Sequence, residues 1–340
     1  MPEGRPMQIK IPQIQVPDFW LANFDKVQDY LATRVAKGRV HVAGQSVQGR
    51  PVNVVEFNAG AATRLMVIGG THGHEPGGVA SAMNLIHIVE TGADLDGQPH
   101  DDLARLLERV HLYVVPVLNP DGRCVNMDSY YAQGIDTVRA YASGLTTDGD
   151  LVPYDCNSDE PLYYFDPEGA LFMGGQFNAA GYAINRRRSP DHSDAVEVQA
   201  VFEFVKDLGL DAIMDLHACG SNVAFQARSH EAPYWPVMRE WQRRAKQRFD
   251  AKGRPLGKLH GDGDPPEAPK FFFNSTLFHR HAKLMWVSYE GRQGYVGHKG
   301  FWPLPTEWEI VDDYLTAITV FVELGVEARY AAANHEVFGD

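Results

Sequence analysis

Apolar residues form two kinds of pattern along the chain, and the two kinds alternate. Apolar residues three or four positions apart, the spacing of a helix packed on one face, occur in segments 19–35, 76–89, 101–110, 193–208 and about 308–331. Short, nearly continuous apolar runs, typical of strands covered on both faces, occupy 52–57, 65–69, 112–118, 212–216 and 284–289. This alternation predicts an α/β fold with a mixed, mostly parallel central sheet flanked by helices.

Two of the predicted helices carry a local start signal. Pro76 suits the first turn of a helix, because its missing N–H has no partner there in any case. Ser193 or Asp194 can cap the helix that ends near Leu208, with Glu197 as the partner in a capping box.

The segment between Gly122 and Asn185 has weak periodicity and is rich in Gly, Pro, Asp and Tyr. A loop of that length inside a compact domain is usually functional or mobile. We therefore expect residues 1–340 to form a single domain with an elaborated insertion at about 123–176 over a functional site. As a lid, this acidic and aromatic insertion would favour a small or cationic substrate, whereas as a solvated loop it needs no function.

Composition narrows the classes of protein to consider. The chain has 340 residues, of which 44% are hydrophobic, and its formal net charge is −13. This acidity argues against sequence-independent binding of nucleic acid or anionic lipid, and no apolar run approaches the ~20 residues that cross a bilayer. The first ten residues lack the apolar core of a signal peptide, and three cysteines do not make a disulfide framework. We expect a cytoplasmic protein that binds neither nucleic acid nor membrane.

Metal-binding residue types follow two of the predicted strands. His72 and Glu75, three positions apart, come after the apolar run 65–69, and His217 follows the run 212–216. Ligands of α/β proteins gather at the carboxyl edge of the sheet, and two histidines with a carboxylate are a donor set of catalytic zinc. One histidine alone is more often a satisfied or solvated residue, but two such strand ends together predict a metal site.

Six motifs occur in a fixed order over roughly residues 20–330. They are Gly44 to Val52, His72-x-x-Glu75, Asn119 to Gly122, Gly181 to Arg186, His217 and Glu290. In this order they resemble the zinc metallocarboxypeptidases of the carboxypeptidase A type, and more loosely the aspartoacylase and succinylglutamate desuccinylase branch of the same fold. The resemblance implies a carboxypeptidase-like (phosphorylase/hydrolase-like) fold and a single zinc carboxypeptidase-like catalytic domain.

The resemblance also implies how the metal site is built. His72, Glu75 and His217 would hold one Zn²⁺ per chain, which activates water and polarises the scissile carbonyl. Glu290, at the end of the last apolar run, would take the proton of the attacking water and pass it to the leaving amine.

The expected partner is a peptide or a small-molecule amide with a free carboxylate. By the resemblance, the Asn185 amide and the planar guanidinium of Arg186 would bind that carboxylate. The implied activity is removal of a C-terminal amino acid from a peptide or peptide-like small molecule by metal-activated water attack. Nothing in the sequence indicates an oligomeric state or a preferred side chain.

Two positions depart from the family pattern. The arginine that would stabilise the developing oxyanion is Gln176 in this chain, and the aspartate that would orient a ligating histidine is Ala183. We expect Arg292 to replace the arginine, because it lies two residues beyond Glu290. The other candidates for that role are Arg123, Arg139 and Arg187. Asp215, two residues before the third ligand, could supply the missing carboxylate.

Two further residues lie close to the predicted ligands in sequence. His74 is adjacent to Glu75, so its side chain would point the other way, and we expect it behind the ligands or in the cleft wall. Cys219 is expected to be a small packed residue beside the site and not a metal ligand.

Two other functions stay open on the sequence alone. The motif Thr71-His72-Gly73-x-Glu75 slightly favours a zinc-dependent deacylase of an N-acyl amino acid, as in the aspartoacylase branch. A binding protein that keeps the pocket without turnover is favoured by Gln176 and Ala183.

Overall fold

A seven-stranded sheet forms the centre of the protein. The computed structural model describes residues 11–12, 14–154, 162–218, 223–227, 231–254, 256, 272–296 and 304–339. The strands of the sheet are β1 (Arg39–Gln45), β2 (Pro51–Phe57), β3 (Thr63–Ile68), β4 (Val110–Val115), β7 (Ala212–Ala218), β8 (Val223–Ala227) and β9 (Met285–Gly291). A separate two-stranded sheet pairs β5 (Gly144–Thr146) with β6 (Ala170–Met173).

The strand order is β1-β2-β4-β3-β7-β9-β8. The four central strands, β4, β3, β7 and β9, run parallel, and the three outer pairings are antiparallel. The predicted α/β fold with a mixed sheet and a parallel centre is therefore confirmed. Because the central strands are parallel, their carboxyl ends meet at one edge of the sheet.

Helices cover both faces of this sheet. They are α1 (Phe24–Arg34), α2 (Pro76–Thr91), α3 (Asp101–Leu107), α4 (Pro120–Cys124), α5 (Ile135–Ser143), α6 (Val196–Val205), α7 (Tyr234–Ala251), α8 (Asn274–Ala282), α9 (Glu307–Val326) and α10 (Arg329–Phe338). One face packs on α2, α7 and α9, and the other packs on α6 and α8.

Strand β3 shows why the central strands are almost continuously apolar. Its residues Leu65 and Val67 belong to the core on one face, and Met66 and Ile68 belong to the core on the other. All four are fully buried. A strand covered on both faces has no solvent side and therefore no alternation of polar and apolar residues.

Three local expectations from the sequence are wrong or incomplete. The segment predicted as one helix to residue 331 is two helices, because the chain turns at Ala328 with a left-handed φ of 58°. Helix α6 begins after Ala195 with no side-chain cap. The expected capping partner, Glu197, instead accepts hydrogen bonds from Asn178 Nδ2 at 2.9 Å and Val47 N at 3.3 Å.

The predicted insertion contains regular structure in the part that the structure describes. Helix α5 and the β5–β6 pair lie within 123–176, while 155–161 fall outside the described residues. Its last residues reach the edge of the main sheet, because Gly175 O accepts from Gly73 N at 2.8 Å. Cys124 is unpaired. In the described residues, no helix combines the length and apolar content needed to span a bilayer.

Candidate metal centre

The first two predicted ligands lie in the loop between β3 and α2, residues 69–75, which we call the ligand loop. Close backbone contacts hold this loop in place. At Gly73 a Cβ would lie 2.1 Å from Gly122 C, so no larger residue fits there without displacing the backbone. The buried Arg123 side chain donates from Nη1 to Gly73 O at 2.7 Å. His72 and Glu75 flank this fixed point, which limits where their side chains can go.

His72, Glu75 and His217 come together at the carboxyl edge of the sheet, as predicted. Their Nδ1 and carboxylate atoms form a compact triangle: His72 Nδ1 lies 2.9 Å from Glu75 Oε1, His217 Nδ1 lies 3.2 Å from Glu75 Oε2, and the two Nδ1 atoms lie 3.2 Å apart. All three residues are buried. Within the described part of the chain, this is the one group of at least three His, Cys, Asp or Glu side chains compact enough to hold a metal ion.

The spacing of these atoms fits a tetrahedral zinc ion. Zinc binds histidine nitrogen at ~2.0–2.1 Å, so two ligand atoms at the corners of a tetrahedron lie roughly 3.3 Å apart. The observed separations of 2.9 to 3.2 Å are close to this value. Two imidazole nitrogens and a carboxylate leave a fourth position open, as catalytic zinc sites require.

Carboxylates and imidazoles of the cluster shift one another's pKa values. Burial disfavours charge on Glu75, but the neighbouring His72 and His217 outweigh it and lower the pKa of the carboxyl. Burial likewise disfavours charge on His217, yet Asp215 and Glu75 raise the pKa of its imidazole well above the usual range. The carboxylates of Glu75 and Asp215 thus favour positive charge at this point, and a metal ion bound there would replace the proton on His217.

Asp215 lies directly behind His217. His217 Nε2 is 2.7 Å from Asp215 Oδ2, and Thr71 Oγ1 donates to Asp215 Oδ1 at 2.6 Å. A carboxylate on the far nitrogen of a ligating histidine holds the ring orientation and makes the nearer nitrogen a better ligand. Asp215 thus supplies a carboxylate at the site, as the sequence suggested.

The second histidine lacks such support. His72 Nε2 is buried and has no hydrogen-bond partner among the described residues. Asp215 therefore supports His217 in place of the aspartate that is missing at Ala183, whereas no described residue supports His72 Nε2 in this way.

Glu290 is next to His217 across the sheet. The two residues are paired in register between β7 and β9, and Asp215 pairs with Ser288 two positions earlier. Paired residues of neighbouring strands point to the same face. Glu290 is therefore placed beside the metal triangle, half-buried, on the side of His217.

The predicted carboxylate-binding pair lies near the start of α8. Asn185 is buried and its Oδ1 accepts from Asn274 N at 3.4 Å. The guanidinium of Arg186 is stacked over the Phe273 ring, with Cζ 4.3 Å from the ring centroid. Helix α8 precedes β9 through a short connection and packs on that strand.

This arrangement coincides with a match to a known family. A sequence model described as zinc carboxypeptidase matches residues 26–255, which is more than half of the chain. The chain belongs to the zinc carboxypeptidase family. The predicted family membership is therefore confirmed. The loop that carries His72 and Glu75 and the strand β7 that carries His217 both lie within the matched residues.

Two curated members of the family are similar over shorter stretches. Carboxypeptidase SOL1 of Arabidopsis thaliana is 31% identical over 120 residues, which is 33% of this chain and 23% of that protein. Carboxypeptidase E of Caenorhabditis elegans is 27% identical over 124 residues, which is 35% of this chain and 24% of that protein. The matched region thus spans about a quarter of the length of these relatives.

Solved structures show the zinc carboxypeptidase fold over most of the chain. The metallo-carboxypeptidase of Burkholderia cenocepacia superposes with a TM-score of 0.57 at 16% identity, covering 89% of this chain and 69% of that one. Bovine thrombin-activatable fibrinolysis inhibitor, solved with a tick carboxypeptidase inhibitor, gives a TM-score of 0.58 at 16% identity, covering 91% of this chain and 99% of that one. At these identities the likeness shows the fold.

The four arginines considered for the oxyanion are placed very differently. Arg292 donates from Nε and Nη2 to Asp313 Oδ2 at 2.8 and 2.5 Å. Arg123 holds the ligand loop from behind, and the side chain of Arg139 is 63% exposed. Arg187 is buried at the start of α8. The predicted role of Arg292 thus competes with an ion pair inside the protein.

Gln176 and His74 both lie against the ligand loop. Gln176 follows Gly175, whose carbonyl accepts a hydrogen bond from Gly73 N. The side-chain Oε1 of Gln176 is buried and has no hydrogen-bond partner among the described residues. His74 is outside the metal triangle, with Nε2 3.8 Å from Glu75 Oε1, as expected for a residue of the surrounding wall. Burial lowers the pKa of His74 to about 3, so this imidazole is neutral at pH 7. Cys219 lies outside the described residues.

Two residues of the site were not singled out from the sequence. Thr71 bonds to Asp215, and Tyr314 OH donates to the His217 carbonyl at 2.7 Å. The position of Thr71 inside the ligand loop was a usable signal. Tyr314 sits in the middle of α9, where an apolar pattern suggests only core packing, and nothing local distinguishes it.

Proposed function

We propose that this zinc carboxypeptidase family member removes a C-terminal amino acid from a peptide or peptide-like small molecule. The observation that carries the proposal is the triangle of His72, Glu75 and His217, with Glu290 in register beside it. Metal ligands and a carboxylate base at one edge of one sheet are the groups that amide hydrolysis needs.

His72, Glu75 and His217 would hold one zinc ion per chain, which polarises the carbonyl and makes water more acidic when it is bound. Asp215 Oδ2 accepts a hydrogen bond from the Nε2–H of His217, which would keep Nδ1 directed toward the metal. Glu290 takes a proton from the attacking water and later gives it to the leaving amine nitrogen.

Asn185 and Arg186 support the choice of a substrate with a free carboxylate. Asn185 accepts a hydrogen bond from the first residue of α8, and Arg186 stacks on Phe273, the residue before it. The guanidinium can bind a carboxylate with two parallel hydrogen bonds, and the Asn185 amide adds a further donor. The amide bond of the last residue would then be the one hydrolysed.

Gln176 is the family position that would assist the developing oxyanion. Its amide is neutral, but its location beside the ligand loop keeps a hydrogen-bond donor available there. A neutral donor stabilises an oxyanion less than a guanidinium does, so we expect modest turnover rather than none.

The test is turnover of matched peptides by the zinc-loaded chain. A peptide with a free C-terminus is expected to lose one residue, whereas its C-terminally amidated twin is expected to be cleaved at least ~10-fold more slowly, because a charged contact is lost. Glu290→Gln should retain zinc and fold while losing at least ~10²-fold in turnover.

Other outcomes would reassign the function. Cleavage of N-acyl amino acids with no cleavage of peptides would favour the deacylase. Zinc and peptide binding without turnover of either class would favour the binding protein suggested by Gln176. A wild-type rate in Glu290→Gln would contradict the assigned base.

A further inference from the structure

One buried tyrosine ring lies directly behind the metal centre. Tyr314, in the middle of α9, is fully buried, and its hydroxyl donates a hydrogen bond to the His217 carbonyl at 2.7 Å. On β9, a Cβ added to Gly291 would lie 2.4 Å from Tyr314 Cζ. On α2, a Cβ added to Gly77 would lie 3.3 Å from Tyr314 Cε2. The ring is thus in close contact with the backbone of α2, β7 and β9.

Each of these contacts adjoins a residue assigned to the metal centre. The carbonyl that accepts the hydrogen bond belongs to the ligand His217 itself. Gly291 directly follows the proposed base Glu290, and Gly77 lies two residues after the ligand Glu75, in the first turn of α2. Because the backbone position of a residue sets where its side chain begins, one ring bears on the spacing of two ligands and the base.

The end of β7 needs support from outside the sheet. Pairing of β3 with β7 ends at Asp215, whereas pairing of β9 with β7 continues to Ala218. His217 therefore lies where the described residues supply a strand neighbour on one side only. A buried carbonyl without a hydrogen-bond partner costs free energy, and the hydroxyl of Tyr314 supplies such a partner from α9.

We propose that Tyr314 is a positioning residue that fixes the spacing between the metal ligand His217 and the base Glu290. The inference rests on the proposed function and adds to it a residue that acts through the backbone of two others. The hydroxyl holds the backbone of the ligand, and the ring holds the backbone next to the base. Such spacing matters because a misplacement of about 1 Å can cost ~10²-fold in turnover.

A second buried tyrosine provides a matched control. Tyr330 of α10 is also fully buried, and its hydroxyl donates to the Phe321 carbonyl of α9 at 3.2 Å. Replacing either tyrosine by phenylalanine removes one buried hydrogen bond from a hydroxyl to a backbone carbonyl. If Tyr314 only packs the core, the two variants will behave alike at the metal centre.

The first test uses the cobalt-loaded chain, because the visible absorption of bound Co²⁺ reports its coordination geometry. Tyr314→Phe is expected to change this spectrum and to weaken zinc binding by ~10-fold, the lower end for residues that support a metal ligand. Competition with a chromogenic chelator measures the affinity. Tyr330→Phe should keep the wild-type spectrum and affinity. A Tyr314→Phe protein that matches Tyr330→Phe in both measurements would overturn the proposal.

The second test displaces the backbone next to the base. Gly291→Ala is expected to lower kcat by at least ~10-fold with little change in KM, because its methyl group meets the Tyr314 ring beside Glu290. Gly38→Ala is the control: its Cβ would lie 2.5 Å from the ring of buried Phe57, before the start of β1, and kcat should not change. Equal kcat values in the two variants would contradict the positioning role.

Tyr314→Phe serves the kinetic test as well, because it removes one atom and adds none. Its kcat should fall with little change in KM, whereas Tyr330→Phe should retain the wild-type kcat. This comparison decides the kinetic test if Gly291→Ala does not fold.

Metal binding separates this proposal from the proposed function. If the wild-type chain binds cobalt but cleaves no substrate, the hydrolase proposal fails, and the spectra of Tyr314→Phe and Tyr330→Phe still decide the positioning role. If the wild-type chain cleaves peptides and Tyr314→Phe keeps the wild-type kcat, spectrum and zinc affinity, the positioning role alone fails. A wild-type chain that binds neither metal contradicts both proposals.

Discussion

The residues around His217 illustrate how one strand can supply both a ligand and its support. Asp215 and His217 are two positions apart on β7, so both side chains point to one face. The carboxylate of Asp215 then reaches His217 Nε2 at 2.7 Å, and Thr71 from the ligand loop donates to its second oxygen. His217 is thereby fixed by two elements of the sheet edge.

Asp215→Asn is expected to weaken zinc binding by ~10–100-fold, because the amide is a poorer acceptor for the imidazole N–H and no longer carries charge. Competition with a chromogenic chelator measures the affinity. Thr71→Val is the matched control: it removes one hydrogen bond and keeps the carboxylate, so its effect should be smaller. An unchanged zinc affinity in Asp215→Asn would show that Asp215 does not support the metal ligand.

The ligand loop between β3 and α2 is fixed by its contact with the start of α4. Gly73 packs so closely on Gly122 that a methyl group would lie 2.1 Å from a backbone carbon, and backbone cannot rotate away as a side chain can. The position of His72 and Glu75 therefore depends on a contact between two loops that are far apart in sequence.

Gly73→Ala should lower the free energy of unfolding by at least ~2 kcal/mol, within the range for overpacked sites, and should also weaken zinc binding. Denaturant titration with and without zinc measures both effects. Gly169→Ala is the control, because its Cβ would meet only Phe165 ring atoms at 3.6 Å, and its change should stay within ~0.5 kcal/mol. If the two variants behave alike, the loop is not held by the Gly73 contact.

Strand β9 and helix α9 are joined by a buried ion pair. Asp313 is fully buried, accepts from Arg292, and is also paired with Arg254 Nη1 at 3.0 Å. The pair links the end of the strand that carries Glu290 to the helix behind it.

Arg292→Ala should lower the free energy of unfolding by ~1–3 kcal/mol, because a buried carboxylate loses a charged hydrogen bond while Arg254 remains. Thermal or denaturant unfolding measures this. Turnover measured on the same variant separates the two roles of Arg292: unchanged stability with a large fall in kcat would assign it to the oxyanion and not to the ion pair.

Strands that are buried on both faces could be predicted from the sequence, whereas an exposed edge strand could not. Central strands such as β3 and β7 are buried on both faces, and their apolar runs were evident in the sequence. Strand β1 was missed because it lies at the sheet edge, where Val42 is 60% exposed and polar residues interrupt the pattern. The break at Ala328 was missed because the turn residue itself is an alanine, and Gly325, three residues earlier, still lies inside α9.

At the scale of the whole molecule, the site is assembled from segments distant in sequence. The metal triangle was predictable because its ligands lie just beyond β3 or near the end of β7. These two strands are parallel neighbours, so their carboxyl ends lie side by side. The buried contacts of Arg187 and Arg292 were not predictable, because the partner side chains are supplied by α8 and α9. Nothing local in the sequence indicates which of several neighbouring arginines becomes buried.

We expect His72, Glu75 and His217 to bind one catalytic zinc ion. Zinc content after dialysis, measured by mass spectrometry on the wild-type chain and on His217→Ala, tests it directly. We expect one zinc per wild-type chain and none retained by the folded variant, because the variant lacks the ligand at one corner of the triangle. Stoichiometric zinc in folded His217→Ala, or wild-type zinc bound through His74 or Cys219 by anomalous scattering, would contradict the assigned metal centre.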